Sequence, residues 1–459
     1  MSGLTELRER SAAAALFSCA CGTAATVILL LPALWNGYPL LQYDTGGYLA
    51  RWYEGYLVPS RSTVFGLYLH VGEGWHFWPE LIVQSALTVW IVALALRLYV
   101  PARRPWLVFA VIAALSALTT LPWLTSVLLT DIFVVPGVLA LHFLLFRARD
   151  LNRLEQAALI LIIAFAGATH SATLAMLLGL TVLMALLRLL LGSLISRRGL
   201  VQGASAVVLG AVMLLAANFA LSGRIAWTPG GYGIAFGRML QDGIVARYLK
   251  DHCPNPELRL CPYRKELPKT ADEFLWSYGI FNDLGRFEGM NGEMRRIVLG
   301  SLIEYPFAQI ETAALATAKQ LVLVGTGAGV HDQIWHTYGI IERFIPTEAP
   351  AMHAARQQLG LLHFAGINRI HVPIALLSMV AMLALLVRFR AGLGNDLALL
   401  AFTASAAILA NAFLCGVLSG PHDRYGARIA WIAPLILIVA LARRAYAARF
   451  HHGAVTAAP

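Results

Sequence analysis

Apolar residues in this chain gather into long unbroken runs separated by short polar interruptions. The runs at 14–35, 81–100, 106–123, 132–147, 156–170, 172–192, 202–221, 370–388, 396–418 and 428–446 approach the ~20 residues that cross a bilayer. Backbone amides in hydrocarbon must be satisfied within their own segment, so each run is predicted to be a helix. A transmembrane barrel would show short segments of period two, and that alternation is missing. The pattern predicts an all-α polytopic membrane protein with about ten transmembrane helices.

Polar positions then set the organisation. Arg8, Arg10, Arg97, Arg103, Arg104, Arg147, Arg149, Arg153, Arg197, Arg198, Arg388, Arg390, Arg443, Arg444 and Arg449 flank apolar runs on what alternate crossings make one side. Cytoplasmic loops carry such an excess, so both termini are expected in the cytoplasm of a cell inner (plasma) membrane. Residues 1–221 form a first transmembrane module of about seven spans, with an outer loop at 36–80. Residues 222–369 form a large extracytoplasmic segment between the seventh and eighth spans, and 370–459 carry about three more. Within the outer segment, Phe307 to Val324 is apolar but interrupted by Glu311 and Lys319, which predicts a helix lying on the interface.

Composition agrees and narrows the classes. Hydrophobic residues make up 58% of the chain and charged ones 13%, with a mean hydropathy of +0.67. An ordinary soluble domain carries about a quarter charged residues. The net charge of +10 follows from the inward arginines, so nucleic acid is not expected as a partner. Cys19, Cys21 and Cys415 fall inside apolar runs and read as small buried residues. Leu16-Phe17-Ser18-Cys19 loosely resembles a lipoprotein cleavage box, but the apolar stretch before it is too short and an uncleaved first span is expected. Cys253 and Cys261 are an even pair in the outer segment, where a disulfide closing a small loop is expected.

Candidate chemistry sits at the outer boundary. Asp44 follows the first run in Tyr43-Asp44-Thr45-Gly46-Gly47-Tyr48, and Asp131 opens the fourth in Leu129-Thr130-Asp131-Ile132. An ionisable group at such a depth is a functional candidate, although each acid also suits a turn or a helix cap. Tyr48, Arg51, Trp52, Tyr53, Tyr56 and Trp75 surround Asp44 in sequence, a mixture that fits sugar stacking and phosphate binding, or an interfacial aromatic belt. Arg424 and Arg428, in Pro421-His422-Asp423-Arg424-Tyr425 and just beyond it, run against the inward bias. A guanidinium there suits phosphate oxygens, or an Asp–Arg pair that fastens loops. His170 is expected to face outward between two spans, and Arg224 and Arg238 flank a glycine-rich stretch around Pro229-Gly230-Gly231. Gly325-Thr326-Gly327-Ala328-Gly329 lacks the βαβ context of a nucleotide fingerprint. His331, Asp332 and His336 have no metal-ligand spacing.

An acid in the first outer loop, a second at the start of the fourth span and an Arg-Tyr element leading into the last span together resemble the GT-C superfamily of integral-membrane glycosyltransferases. The resemblance implies transfer of a sugar from a polyprenyl-phosphate donor to a lipid or glycan acceptor in the cell envelope, with inversion. It implies catalytic roles for Asp44 and Asp131, donor-phosphate binding by Arg424, Tyr425, Arg51 and Arg428, and substrate contacts from Tyr48, Trp52, His170 and His422. Several members carry a paired acid in the first loop where this chain has Thr45, so a divalent metal is left open and no other cofactor is implied. Two other readings compete: a transporter or flippase of a lipid-linked or amphiphilic anion, and a non-catalytic envelope assembly protein.

Overall fold

The structure, a computed structural model, describes residues 2–101, 104–229, 231–387 and 395–455. Arg103, Arg388, Arg390 and Gly230 lie outside the described residues. Among those described there is no β-strand, and one isolated parallel bridge joins Leu40 to Val127.

Among the described residues, seven helices are long and apolar enough to cross a membrane: Ala12–Asn36, Trp78–Tyr99, Ser171–Leu190, Arg197–Ser222, Ala365–Leu386, Asp396–Leu418 and Asp423–Ala448. The other three expected runs form shorter helices. The run at 106–123 breaks after Pro105–Leu118, where the Thr119 hydroxyl turns back onto Leu115 O (2.6 Å) and Pro122 starts a separate turn of helix. The run at 132–147 begins as a 3-10 turn, Thr130–Phe133, before Val134–Phe146. Arg153–Thr169 starts at an Asn152–Glu155 capping box and has 17 residues. At 1.5 Å per residue, helices of 13 and 14 residues reach roughly 20 Å, short of the ~30 Å hydrocarbon layer.

Residues 222–369, expected to face outward, divide between two cores. Residues 236 to 305 bury their own core, with Phe236, Leu249, Phe281, Met290 and Ile297 almost wholly enclosed. Residues 330 to 355 instead send Ile334, Ile341 and Met352 into the main core with the spans. Between them, the Pro306–Val322 helix packs Ala316 and Gln320 against the Asn395–Leu418 helix. Two glycines receive it: a Cβ on Gly416 would sit 2.9 Å from Ala316 O, and one on Gly426 would collide with Leu323 O. The chain then turns through 323–330 and returns along the Ala365–Val387 helix, with Thr326 bonded to Asn368 and His371. The segment therefore lines the space beside Arg424.

Candidate functional site

Asp44 lies in the first turn of the Tyr43–Glu54 helix. That helix is started by Thr45, whose hydroxyl accepts from Gln42 N–H (3.0 Å) and donates to Leu128 O (3.0 Å). It is closed by Gly55, at φ +72, a left-handed conformation that favours glycine. Leu40 N–H donates to Ser126 O (2.9 Å) and Leu128 N–H to Leu40 O (3.0 Å). These bonds stitch the entry to the Asp44 helix onto the strand-like stretch that leads to Asp131. Two acids from distant parts of the sequence are thereby fixed at one level.

Arg424 joins them. Its Nη1 donates to Asp44 Oδ2 (2.6 Å) and its Nε to Asp131 Oδ2 (2.6 Å). Arg428, one turn on in the Asp423–Ala430 helix, donates to Asp131 Oδ1 (3.2 Å) and to Asn411 Oδ1 (2.9 and 2.7 Å). It also approaches Cys415 Sγ (3.0 Å) and His170 Nδ1 (3.4 Å). The start of this helix is held from outside the cluster: Asp423 Oδ1 accepts from Gly325 N–H (2.7 Å), and Gln320 bonds both backbone groups of His422 (2.9 Å each). Asp423 thus fastens the 325 loop and pairs with no arginine among the described residues.

A third guanidinium completes the cluster. Arg61 Nη2 reaches Asp44 Oδ1 at 2.5 Å, its stem lying where a Cβ on Gly47 would stand (2.7 Å from Nε). Its Cζ lies 5.8 Å from the ring centres of both Tyr48 and Trp276. The sequence reading missed Arg61. The signal was present, because Arg61 lies in the 36–80 segment expected to face outward, the same exception to the inward bias that singles out Arg424.

Burial grades the cluster from mouth to floor. The side chains of Asp44, Arg61 and Arg424 are partly exposed, whereas Asp131 and Arg428 are sealed. Three guanidiniums face two carboxylates, leaving one net positive charge. Burial alone would raise the Asp44 pKa, but Arg61 and Arg424 outweigh it and hold the carboxyl well below the usual carboxylate range. Behind Arg424 and Asp131 lies a cavity of about 30 Å³, otherwise walled chiefly by apolar groups including Trp123, Leu124, Val330 and Phe364. Phe364 fits there because Gly327 has no side chain, and its ring meets Trp123 edge-on at 4.9 Å.

Other sequence candidates lie elsewhere. The Arg51 guanidinium is consumed by Gly47 O (2.8 Å), Tyr56 O (2.7 Å) and Glu54 (2.6 Å), so it braces its own helix end. Trp52 donates to Thr63 O (2.8 Å) and Tyr53 to Glu73 (2.7 Å), joining the Asp44 helix to the following stretch. The Tyr425 ring faces the Arg424 and Arg428 guanidiniums at 5.9 and 5.7 Å. The His422 ring turns against Tyr425 and contacts neither acid. Arg238 pairs with Asp242 (2.6 Å) beside the separate outer core, Arg224 is exposed, and Trp75 is solvent-facing. Cys253 and Cys261 form a disulfide. Among the described residues, no group of three His, Cys, Asp or Glu side chains is arranged to hold a metal ion. No known family model, no curated protein and no solved structure matches this chain.

Proposed function

We propose that this chain is a GT-C-like glycosyltransferase of the plasma membrane, moving a sugar from a polyprenyl-phosphate donor to an envelope lipid or glycan at the outer face. The observation that carries the reading is the sharing of one guanidinium, Arg424, by Asp44 and Asp131 beside an apolar-walled cavity. A guanidinium beside apolar walls matches the chemistry of an amphiphile with an anionic head, and a space of about 30 Å³, room for a water or two, must widen to admit one. Arg424 serves as the exchangeable partner: with one net positive charge in the cluster, an incoming phosphate competes with Asp44 for its fork.

The exchange also solves a problem of basicity. A carboxylate held by two guanidiniums is a weak base, since both pairings favour its charged form. When the donor phosphate draws Arg424 away, Asp44 keeps only Arg61 and its basicity rises. Asp44 then takes the proton of an acceptor hydroxyl as the acceptor oxygen attacks the anomeric carbon. The bond from that carbon to the phosphate oxygen breaks, and the polyprenyl phosphate leaves with the electron pair, stabilised by Arg424. Asp131 is a positioning residue in this scheme: both its oxygens are bound and it is closed to solvent, so it anchors Arg424 and Arg428 rather than touching the acceptor.

The test is sugar transfer by membranes carrying the chain, supplied with a panel of labelled polyprenyl-phosphate sugars. Asp44→Asn should lower transfer by roughly 10²–10⁴-fold while membrane insertion persists. Undiminished transfer in Asp44→Asn refutes Asp44 as the base. Transport of the donor across the bilayer without any transfer favours the flippase reading.

A further inference from the structure

Aromatic rings crowd the mouth of the cluster and are left open to solvent. Tyr43, immediately before Asp44, is 52% exposed, and its ring stacks on His336 at 5.5 Å and 20°. Trp276, at the end of the Ala271–Trp276 helix, is 40% exposed although it faces Arg61, the partner of Asp44. Trp276 stands beside the Arg61 guanidinium, and Tyr43 stacks on an exposed imidazole directly next to Asp44, so both rings adjoin charged or polar groups. Thr337, the neighbour of His336, is wedged against Gly46, where a Cβ would come within 2.6 Å of its Cα, so this side of the mouth is rigidly placed.

We infer that this rim is the landing site of a carbohydrate acceptor, whose sugar ring lies against Trp276 and Tyr43 while a hydroxyl reaches Asp44. The inference rests on the glycosyltransferase reading for the acceptor role, and it selects a glycan over a plain lipid. A sugar presents an apolar C–H face and a ring of hydroxyls, and the mouth presents flat apolar faces beside charged hydrogen-bonding groups. Rigid rings offer such contact at little entropic cost. Arg61 lies between Tyr48 and Trp276 and pairs with Asp44, so the Trp276 ring stands beside the carboxylate that an acceptor hydroxyl would reach.

The full chain in lipid nanodiscs, probed by saturation-transfer NMR with the methyl glycosides of common hexoses and pentoses, tests this directly. At least one glycoside should be saturated by the protein, and its binding should weaken roughly fivefold in Trp276→Ala, with Trp276→Phe restoring most of it. Tyr43→Ala, removing the other ring of the rim at a half-exposed position, should weaken the same glycoside. No saturation of any glycoside, or equal saturation in both alanine variants, overturns the inference. Trp276-dependent binding in a chain with no transfer activity would remove the glycosyltransferase and leave a carbohydrate-binding mouth.

Discussion

Asp44 and Asp131 never touch, yet they are tied by a single side chain, each accepting a 2.6 Å hydrogen bond from the Arg424 guanidinium. They differ in how much else holds them. Asp44 is partly open to solvent, whereas Asp131 is sealed between Arg424 and Arg428. Removing one partner from a buried charged group leaves the other uncompensated, at a cost of about 3–5 kcal/mol. Asp131→Ala is therefore expected to destabilise the chain by several kcal/mol, about 3 or more. Asp44→Ala should cost about 1 kcal/mol, because water reaches the guanidiniums it abandons. Thermal unfolding of the two variants in detergent measures the order, and a larger loss for Asp44→Ala would contradict this network.

Acid should loosen the cluster only at low pH. Burial raises the Asp44 pKa, but Arg61 and Arg424 more than reverse this, so the folded carboxyl titrates well below the usual range. A group depressed in this way adds stability above its unfolded value, and that stability is lost as pH falls through the folded value. With an unfolded aspartate near 3.9, the contribution is intact above about pH 5 and declines below about pH 4. The stability gap between the native chain and Asp44→Asn should stay constant from about pH 8 to about pH 5, then narrow on further acidification. Narrowing that begins near neutrality would mean the arginine pairs are not formed.

Helices and the two acids were legible in the sequence because both follow from local rules: apolar length, and the oddity of a charge at a span boundary. Arg424 and Arg428 were legible for the same reason. What escaped depended on partners far along the chain. Arg51 and Arg61 sit in the same loop region and look equivalent in sequence, yet Glu54 and two carbonyls consume the first while Asp44 takes the second. Asn411 and Cys415 read as ordinary span residues until the last helix brings Arg428 against them. The part the Gly325–Gly329 stretch plays was invisible: Gly325 binds Asp423, and Gly327 admits Phe364. The Pro306–Val322 helix was expected to lie flat because its charges interrupt its hydrophobicity. That it also packs against Gly416 near the far end of the chain was not legible from those residues.

Close approach at Gly46 gives a separate test of how the site is built. An added methyl would press on the backbone of Thr337, 2.6 Å away, and backbone cannot step aside as a flexible side chain does. Thr337 also accepts from Gly46 N–H (3.1 Å) and donates to Gln42 O (2.7 Å), so the displacement would break the join at the base of the Asp44 helix. Overpacking of this kind costs about 1–3 kcal/mol. Gly46→Ala should lower the unfolding temperature and weaken transfer together. Gly22→Ala, with nothing within 4 Å of the new methyl, should leave both unchanged or raise stability slightly. Equal behaviour of the two variants would show that the helix pair is not in contact.

The disulfide between Cys253 and Cys261 offers a test of sidedness as well as stability. It closes a short loop beside the separate core around Phe236, Leu249 and Met290, so its loss acts on that unit first. A cross-link spanning eight residues restricts the unfolded chain by about 2–3 kcal/mol. Cys253→Ser with Cys261→Ser should therefore speed proteolysis between residues 236 and 305 while the spans stay protected. If the cluster faces outward, the native pair should be reduced and labelled by membrane-impermeant reagents in intact cells. Cys19, Cys21 and Cys415 are changed to serine beforehand to remove other thiols. Labelling only after the cytoplasmic face is opened would put this unit inside, and with it the Trp276 that rests on Arg61 and the Asp44 that Arg61 holds. A polyprenyl-phosphate donor presented at the outer face would then have no site to enter.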